Sequence, residues 1–121
     1  MTRWFLMFAW VLVSSLALPL AADELRTGDQ LLDSDGMQDQ VVGRTHTFFD
    51  GGRSFFPITD TYTYTYPDGG VAYGRYEMRG DGVVCTFFNH GYERCDAYVR
   101  TGERLVLITS HGPRFPVKDV S

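Results

Sequence analysis

The chain is predicted to fold as a mainly β domain: six or seven antiparallel strands in a meander, curled into a small barrel or half-barrel, with a short helix on the N-terminal side. Three observations carry that expectation. Thr61-Tyr62-Thr63-Tyr64-Thr65-Tyr66 alternates with a strict period of two in residue types that favour strands. Beyond Val41, aromatics and threonines replace leucine and glycines arrive at short intervals, the signature of consecutive strands and tight turns. Cys85 and Cys95 bracket one such turn, and in an oxidising compartment the pair is expected to form a disulfide clamping a single hairpin.

The compartment is read from the start of the chain. Arg3 supplies a positive n-region, and Trp4 to Leu20 is apolar apart from Ser14, Ser15 and Pro19, ahead of the small pair Ala21-Ala22. Residues 1–22 are therefore expected to be a signal peptide, cut after Ala22 or, with Ser15 upstream, after Ala17. An uncleaved anchor is the alternative, at the short end of what spans a bilayer. No cysteine sits near either cut, which excludes lipid attachment there. Loss of Arg3 leaves ten basic groups against fifteen acidic ones, a net charge of about −5. The basic residues are scattered singly, without the clustered positive surface that nucleic acid or anionic lipid requires, so neither is expected as a partner. A periplasmic or secreted single domain follows, with no membrane span once the signal is removed.

Residues 23–40 form an acidic N-terminal segment with Leu25, Leu31, Leu32 and Met37, punctuated by Gly28 and Gly36; a short helix is expected around Asp23 to Leu32. The antiparallel β domain occupies 41–121. After the Thr/Tyr strand, Pro67-Asp68-Gly69 makes a three-residue loop: proline presets φ, aspartate bonds the backbone and glycine takes the left-handed position. This register pairs Tyr66 with Gly70, Tyr64 with Ala72 and Tyr62 with Gly74 on one face, and Thr63 with Tyr73 and Thr61 with Arg75 on the other. The charged residue marks the solvent side, so the tyrosines point inward. Taking Arg79-Gly80-Asp81-Gly82 as the next turn sets Met78 against Val83, Tyr76 against Cys85 and Gly74 against Phe87. Asn89-His90-Gly91 is a three-residue loop that places Cys85 opposite Cys95 in a non-hydrogen-bonded pair, where side chains approach most closely.

On that register Cys95, Ala97 and Val99 face inward, whereas Tyr73, Val84, Phe88 and Tyr98 face out. Arg104 to Thr109 is apolar on both faces, so Leu25, Leu31 and Leu32, or another subunit, are expected to cover the outside. Gly112 to Pro116 closes the domain as an edge strand whose prolines discourage further pairing.

The succession Asp23-Glu24-Leu25, Gly43-Arg44-Thr45, Tyr66-Pro67-Asp68-Gly69, Gly74-Arg75-Tyr76, then Cys85 and Cys95 resembles a family of short exported bacterial proteins of unknown function. Tyr76 stands where that family typically has tryptophan. The resemblance implies a lipocalin-like fold and supplies no catalytic residue.

Chemistry is sparse. His46, His90 and His111 form no close ligand pair, with Asp50, Asp60 and Asp96 as the available carboxylates; solvated loop or edge histidines are expected rather than a metal site. Ser54, in Gly51-Gly52-Arg53-Ser54-Phe55, lacks the glycine two places on that a nucleophile elbow needs, and Ser110 and His111 would diverge on a strand. The cysteines are too far apart for a C-x-x-C redox pair. Glu77, Glu93 and Glu103 fall on the outer face or beside turns. No enzyme and no cofactor is expected.

Two binding roles remain. A small apolar ligand in the barrel interior would be lined by Tyr62, Tyr64 and Tyr76. Alternatively, an envelope protein, such as a wall-active enzyme, would dock on an outer patch of Tyr73, Arg75, Phe88, Arg94, Tyr98, Leu105 and Leu107, arginines amid aromatics.

Overall fold

A computed structural model describes residues 25–110 and 112–121. The expected signal peptide, Asp23-Glu24 and His111 lie outside the described residues. In chain order the elements are β1 (Asp29–Leu31), α1 (Ser34–Gln40), β2 (Arg44–Phe48), β3 (Arg53–Phe56), β4 (Thr61–Thr65), β5 (Val71–Gly80), β6 (Val83–Phe88), β7 (Glu93–Thr101), β8 (Arg104–Ile108) and β9 (Arg114–Val120). Strands β2 to β9 pair antiparallel in sequence order, and β9 returns to pair with β2. The result is a closed eight-stranded up-and-down barrel, one or two strands more than expected, with β1 outside it.

The β4–β5 hairpin has the register expected from its turn: Tyr62 faces Gly74, Tyr64 faces Ala72 and Thr61 faces Arg75. Tyr66 N–H donates to the Gly70 carbonyl (2.8 Å), and Asp68 Oδ1 accepts from Gly70 N–H (2.9 Å). The β6–β7 hairpin also matches. Phe88 N–H donates to Tyr92 carbonyl (2.8 Å), Cys85 lies opposite Cys95, and the two are joined by a disulfide with Cα atoms 4.0 Å apart.

Between these hairpins the expected register fails by one residue. Asp81 and Gly82 both have positive φ, 51° and 75°, and form a two-residue turn of the kind that Asp-Gly favours. Gly80 therefore pairs with Val83, and a bulge between Met78 and Gly80 sets Met78 against Val84, Tyr76 against Thr86 and Gly74 against Phe88. Because side chains alternate, that single extra residue turns β6 and every later strand over. Val84, Thr86 and Phe88 follow Tyr76 to the inside, and so do their partners Asp96 and Arg94 on β7. The disulfide, with Cys85 opposite outward-facing Glu77, moves to the outer face of the sheet, where Cys85 is nonetheless buried. At Gly74 the β6 backbone passes so close that a Cβ would meet the Phe87 carbonyl oxygen at 2.3 Å, which only glycine permits.

The N-terminal segment also departs from expectation. Residues 29–31 form a strand rather than helix, and the helix starts only at Ser34, where Asp33 caps it by accepting from Gly36 N–H (2.8 Å). Leu31 packs outside against Val99, Val106 and Ile108, as expected of it, but Leu25 stays exposed, and Leu32 enters the barrel core together with Met37 and Val41. Strand β1 pairs with Val99 to Thr101, the stretch of β7 that runs beyond the end of β6. Asp29 anchors it: its carboxylate accepts from Arg114 (2.8 and 2.9 Å) and Thr101 Oγ1 (2.6 Å).

Barrel closure overturns the expected proline-blocked edge. Pro116 opposes Val106 at a non-hydrogen-bonded position, and β2 has already ended at Phe48, opposite Val117. No ladder donor is missed, and β9 zips against β2 as far as Ser121, which exchanges hydrogen bonds with Thr45 (2.9 and 3.0 Å).

Candidate functional site: the open mouth of the barrel

The two ends of the barrel differ. At one end, Leu32, Met37 and Val41 plug the lumen beneath Phe56, Tyr76 and Tyr98. His46, fully buried rather than at a solvated edge, ties this plug to the wall: Nε2 lies 2.6 Å from the Gln40 carbonyl and Nδ1 lies 2.8 Å from the Tyr98 hydroxyl. A carbonyl only accepts, so Nε2 carries the proton and Nδ1 accepts from Tyr98. Burial pushes the His46 pKa down, partly offset by the Gln40 bond, which keeps the ring neutral. Burial likewise pushes the Tyr98 hydroxyl well above its ordinary value. Tyr76, expected in a ligand cavity, instead donates its hydroxyl to the Pro57 carbonyl at this closed end.

The opposite end carries the four turns β2–β3, β4–β5, β6–β7 and β8–β9, and it is open. A cavity of about 350 Å³ lies there. Phe48, Tyr64, Phe88, Leu107 and Phe115 enter it from five strands; Tyr66, His90 and Tyr92 come from the turns, and Asp50, Ser54, Arg94 and Thr109 supply polar atoms. The Phe88 and His90 rings stack with centroids 5.6 Å apart and planes 2° apart, and Tyr92 stacks on Phe88 at 6.0 Å. Two other hollows, of about 490 and 470 Å³, lie outside the barrel and are more open to solvent.

Beneath the cavity sits Tyr62, buried and hydrogen-bonded to Ser54 Oγ (3.0 Å); burial pushes its hydroxyl up to about 12, against the Ser54 bond. The electrostatic centre is Arg94, whose Nε donates to Asp96 Oδ2 at 2.7 Å and whose guanidinium carbon lies 6.0 Å from the Phe88 ring centroid. Burial pushes the Asp96 carboxyl up, and the Arg94 charge and hydrogen bond pull it back. Arg94 stays cationic because the attraction of Asp96 overcomes its own burial. Asp96 Oδ1 is buried with no hydrogen-bond partner among the described residues. The two Nη groups of Arg94 likewise have no hydrogen-bond partner among the described residues, so they remain available as donors.

Of the three tyrosines expected to line an interior ligand site, only Tyr64 borders the cavity. The expected outer patch is divided by the register slip: Phe88, Arg94 and Leu107 line the mouth, and Tyr98 and Leu105 are buried in the core. Tyr73 and Arg75 stay outside, Tyr73 being 58% exposed and Arg75 paired with Asp60 at 3.7 Å. Phe48, Tyr66, Tyr92 and Phe115 were missed. Their signal was the topology itself, since a meander brings alternate turns to one end.

Among the described residues no three His, Cys, Asp or Glu side chains converge on a possible metal position, and no helix is long and apolar enough to cross a membrane. The fold and site define a disulfide-bonded eight-stranded barrel, plugged at one end and hollow at the other. Comparison with protein-family models, curated proteins and solved structures gave no match to this chain.

Proposed function

We propose that this is an exported binding protein that holds one small, largely apolar molecule in the open mouth of its barrel. The asymmetry of the lumen is the observation that carries the proposal: one end is filled by Leu32, Met37 and Val41, while the other keeps an aromatic-walled cavity of about 350 Å³. Cavities of this size suit compact organic ligands. The apolar leader from Trp4 to Leu20 and the disulfide support export to an oxidising compartment. The rival reading, an interface for an envelope protein, keeps only Tyr73 and Arg75 of its patch on the outer surface.

Native mass spectrometry of protein taken from its own extracytoplasmic fraction tests this. A retained small molecule should appear as a mass increment, and Leu107→Trp, which fills the cavity, should remove it. A bare monomer in both forms, or retention undiminished by the tryptophan, sinks the proposal.

A further inference from the structure

We infer that the mouth selects uncharged planar aromatic ligands bearing a hydrogen-bond acceptor, and that Asp96 enforces the choice by cancelling the charge of Arg94. The inference rests on the ligand-binding reading above and adds the chemistry of the guest.

Three observations converge on it. The walls are rings: Phe48, Tyr64, Phe88 and Phe115 project from four strands into the cavity, a lining that favours a flat apolar guest. The directional donor is Arg94. With Nε committed to Asp96, its two Nη groups form the open edge of a planar fork, a geometry suited to a carbonyl or amide oxygen. The charge is already spoken for: Asp96 is buried against the guanidinium at 2.7 Å, and Asp50 adds a second carboxylate at the rim.

An arginine alone in an aromatic pocket would prefer a carboxylate. Here an entering anion meets one cation and two carboxylates, and it would have to share Arg94 with a buried Asp96 that cannot move to water. Losing its own hydration is then not repaid. A neutral acceptor takes the same Nη hydrogen bond without that repulsion. The site therefore discriminates by an element that repels the wrong ligand as much as by one that attracts the right one.

The test uses three probes of one shape, 2-naphthamide, 2-naphthoate and naphthalene, titrated at pH 7 into the disulfide-intact protein, with NMR shifts of Tyr64 and Phe88 locating the binding. Naphthamide should bind at least tenfold more tightly than naphthoate. In D96N, which keeps an oxygen acceptor for Arg94 Nε but removes the negative charge, the ratio should move at least tenfold towards naphthoate. In R94M, naphthamide should fall to the affinity of naphthalene; the double variant R94M/D96N, which leaves no unpaired buried charge, gives the same reading if R94M fails to fold. Naphthoate binding as well as naphthamide to the unmodified protein, or a ratio unmoved by D96N, overturns the inference while leaving the cavity a ligand site. Failure of all three probes, naphthalene included, overturns the ligand-binding reading itself.

Discussion

His46 shows how much one buried polar side chain can do in a small barrel. It joins the Gln40 carbonyl at the end of α1 to the Tyr98 hydroxyl on β7, so the plug and the wall share one hydrogen-bonded ring. With its pKa lowered in the folded protein, the ring binds fewer protons than its unfolded counterpart at mildly acidic pH. Its contribution to stability is complete above the unfolded value of about 6.5 and is lost as pH falls from there towards the folded value. The urea midpoint should therefore drop between pH 7.5 and 5.5, and H46N should flatten that slope; a slope unchanged by the substitution would assign it elsewhere. Asp29 has the opposite chemistry and the same sign. Its hydrogen bonds from Arg114, then those from Thr101 and the Arg26 amide, hold its carboxyl well below the usual range against the opposing effect of burial. That stability is present above about pH 4 and is lost as pH falls further. D29N should cost about 1.5–3 kcal/mol at pH 7, the worth of a charged hydrogen bond, read from chemical denaturation. Neither residue stood out in the sequence. A lone histidine and an acidic stretch look solvated until the fold shows what they touch.

The hairpins show where local chemistry suffices and where it does not. Pro67-Asp68-Gly69 and Asn89-His90-Gly91 specify their registers through the turn alone, and both the tyrosine row and the Cys85–Cys95 bond follow from them. Arg79-Gly80-Asp81-Gly82 admits two solutions, a four-residue loop or a two-residue turn with a bulge. The bulge wins because it turns Val84, Thr86 and Tyr98 inward and sends the cysteines to the outer face beside Glu77, which buries a better core. Gly82 fixes that choice. A Cβ there would lie 2.8 Å from the Tyr98 carbonyl oxygen, and the left-handed backbone alone costs a non-glycine residue about 1–3 kcal/mol. G82A should therefore lower the denaturation midpoint accordingly, whereas G69A, with nothing within 4 Å of the new methyl, should cost only the backbone strain. Equal losses would deny Gly82 its packing role.

Closure and the plug belong to the molecule entire. Strand β9 meets β2 across most of the chain, and α1 fills the end that this closure creates. Met37 is buried at the centre of the plug, so M37A should cost about 2–5 kcal/mol. It should also admit an environment-sensitive apolar dye to the closed end, with affinity at the mouth unchanged. The disulfide joins residues 10 apart in sequence, and its removal as C85A/C95A should cost about 2–3 kcal/mol through the unfolded state. The barrel itself should survive, because the β6–β7 turn holds the register independently. A far-ultraviolet spectrum lost at 25 °C in the double variant would show the bond to be essential to the fold.

From residue order alone came the strand-and-turn alternation, the tyrosine-bearing hairpin and the partnership of the two cysteines, because each depends on dihedral preferences within a few neighbouring positions. Which rings beyond Arg79 face the lumen, how many strands close it and where it stays hollow were settled only in three dimensions. One bulged residue near Arg79 reverses the parity of everything downstream, and closure depends on pairing distant segments whose compatibility no short window can register.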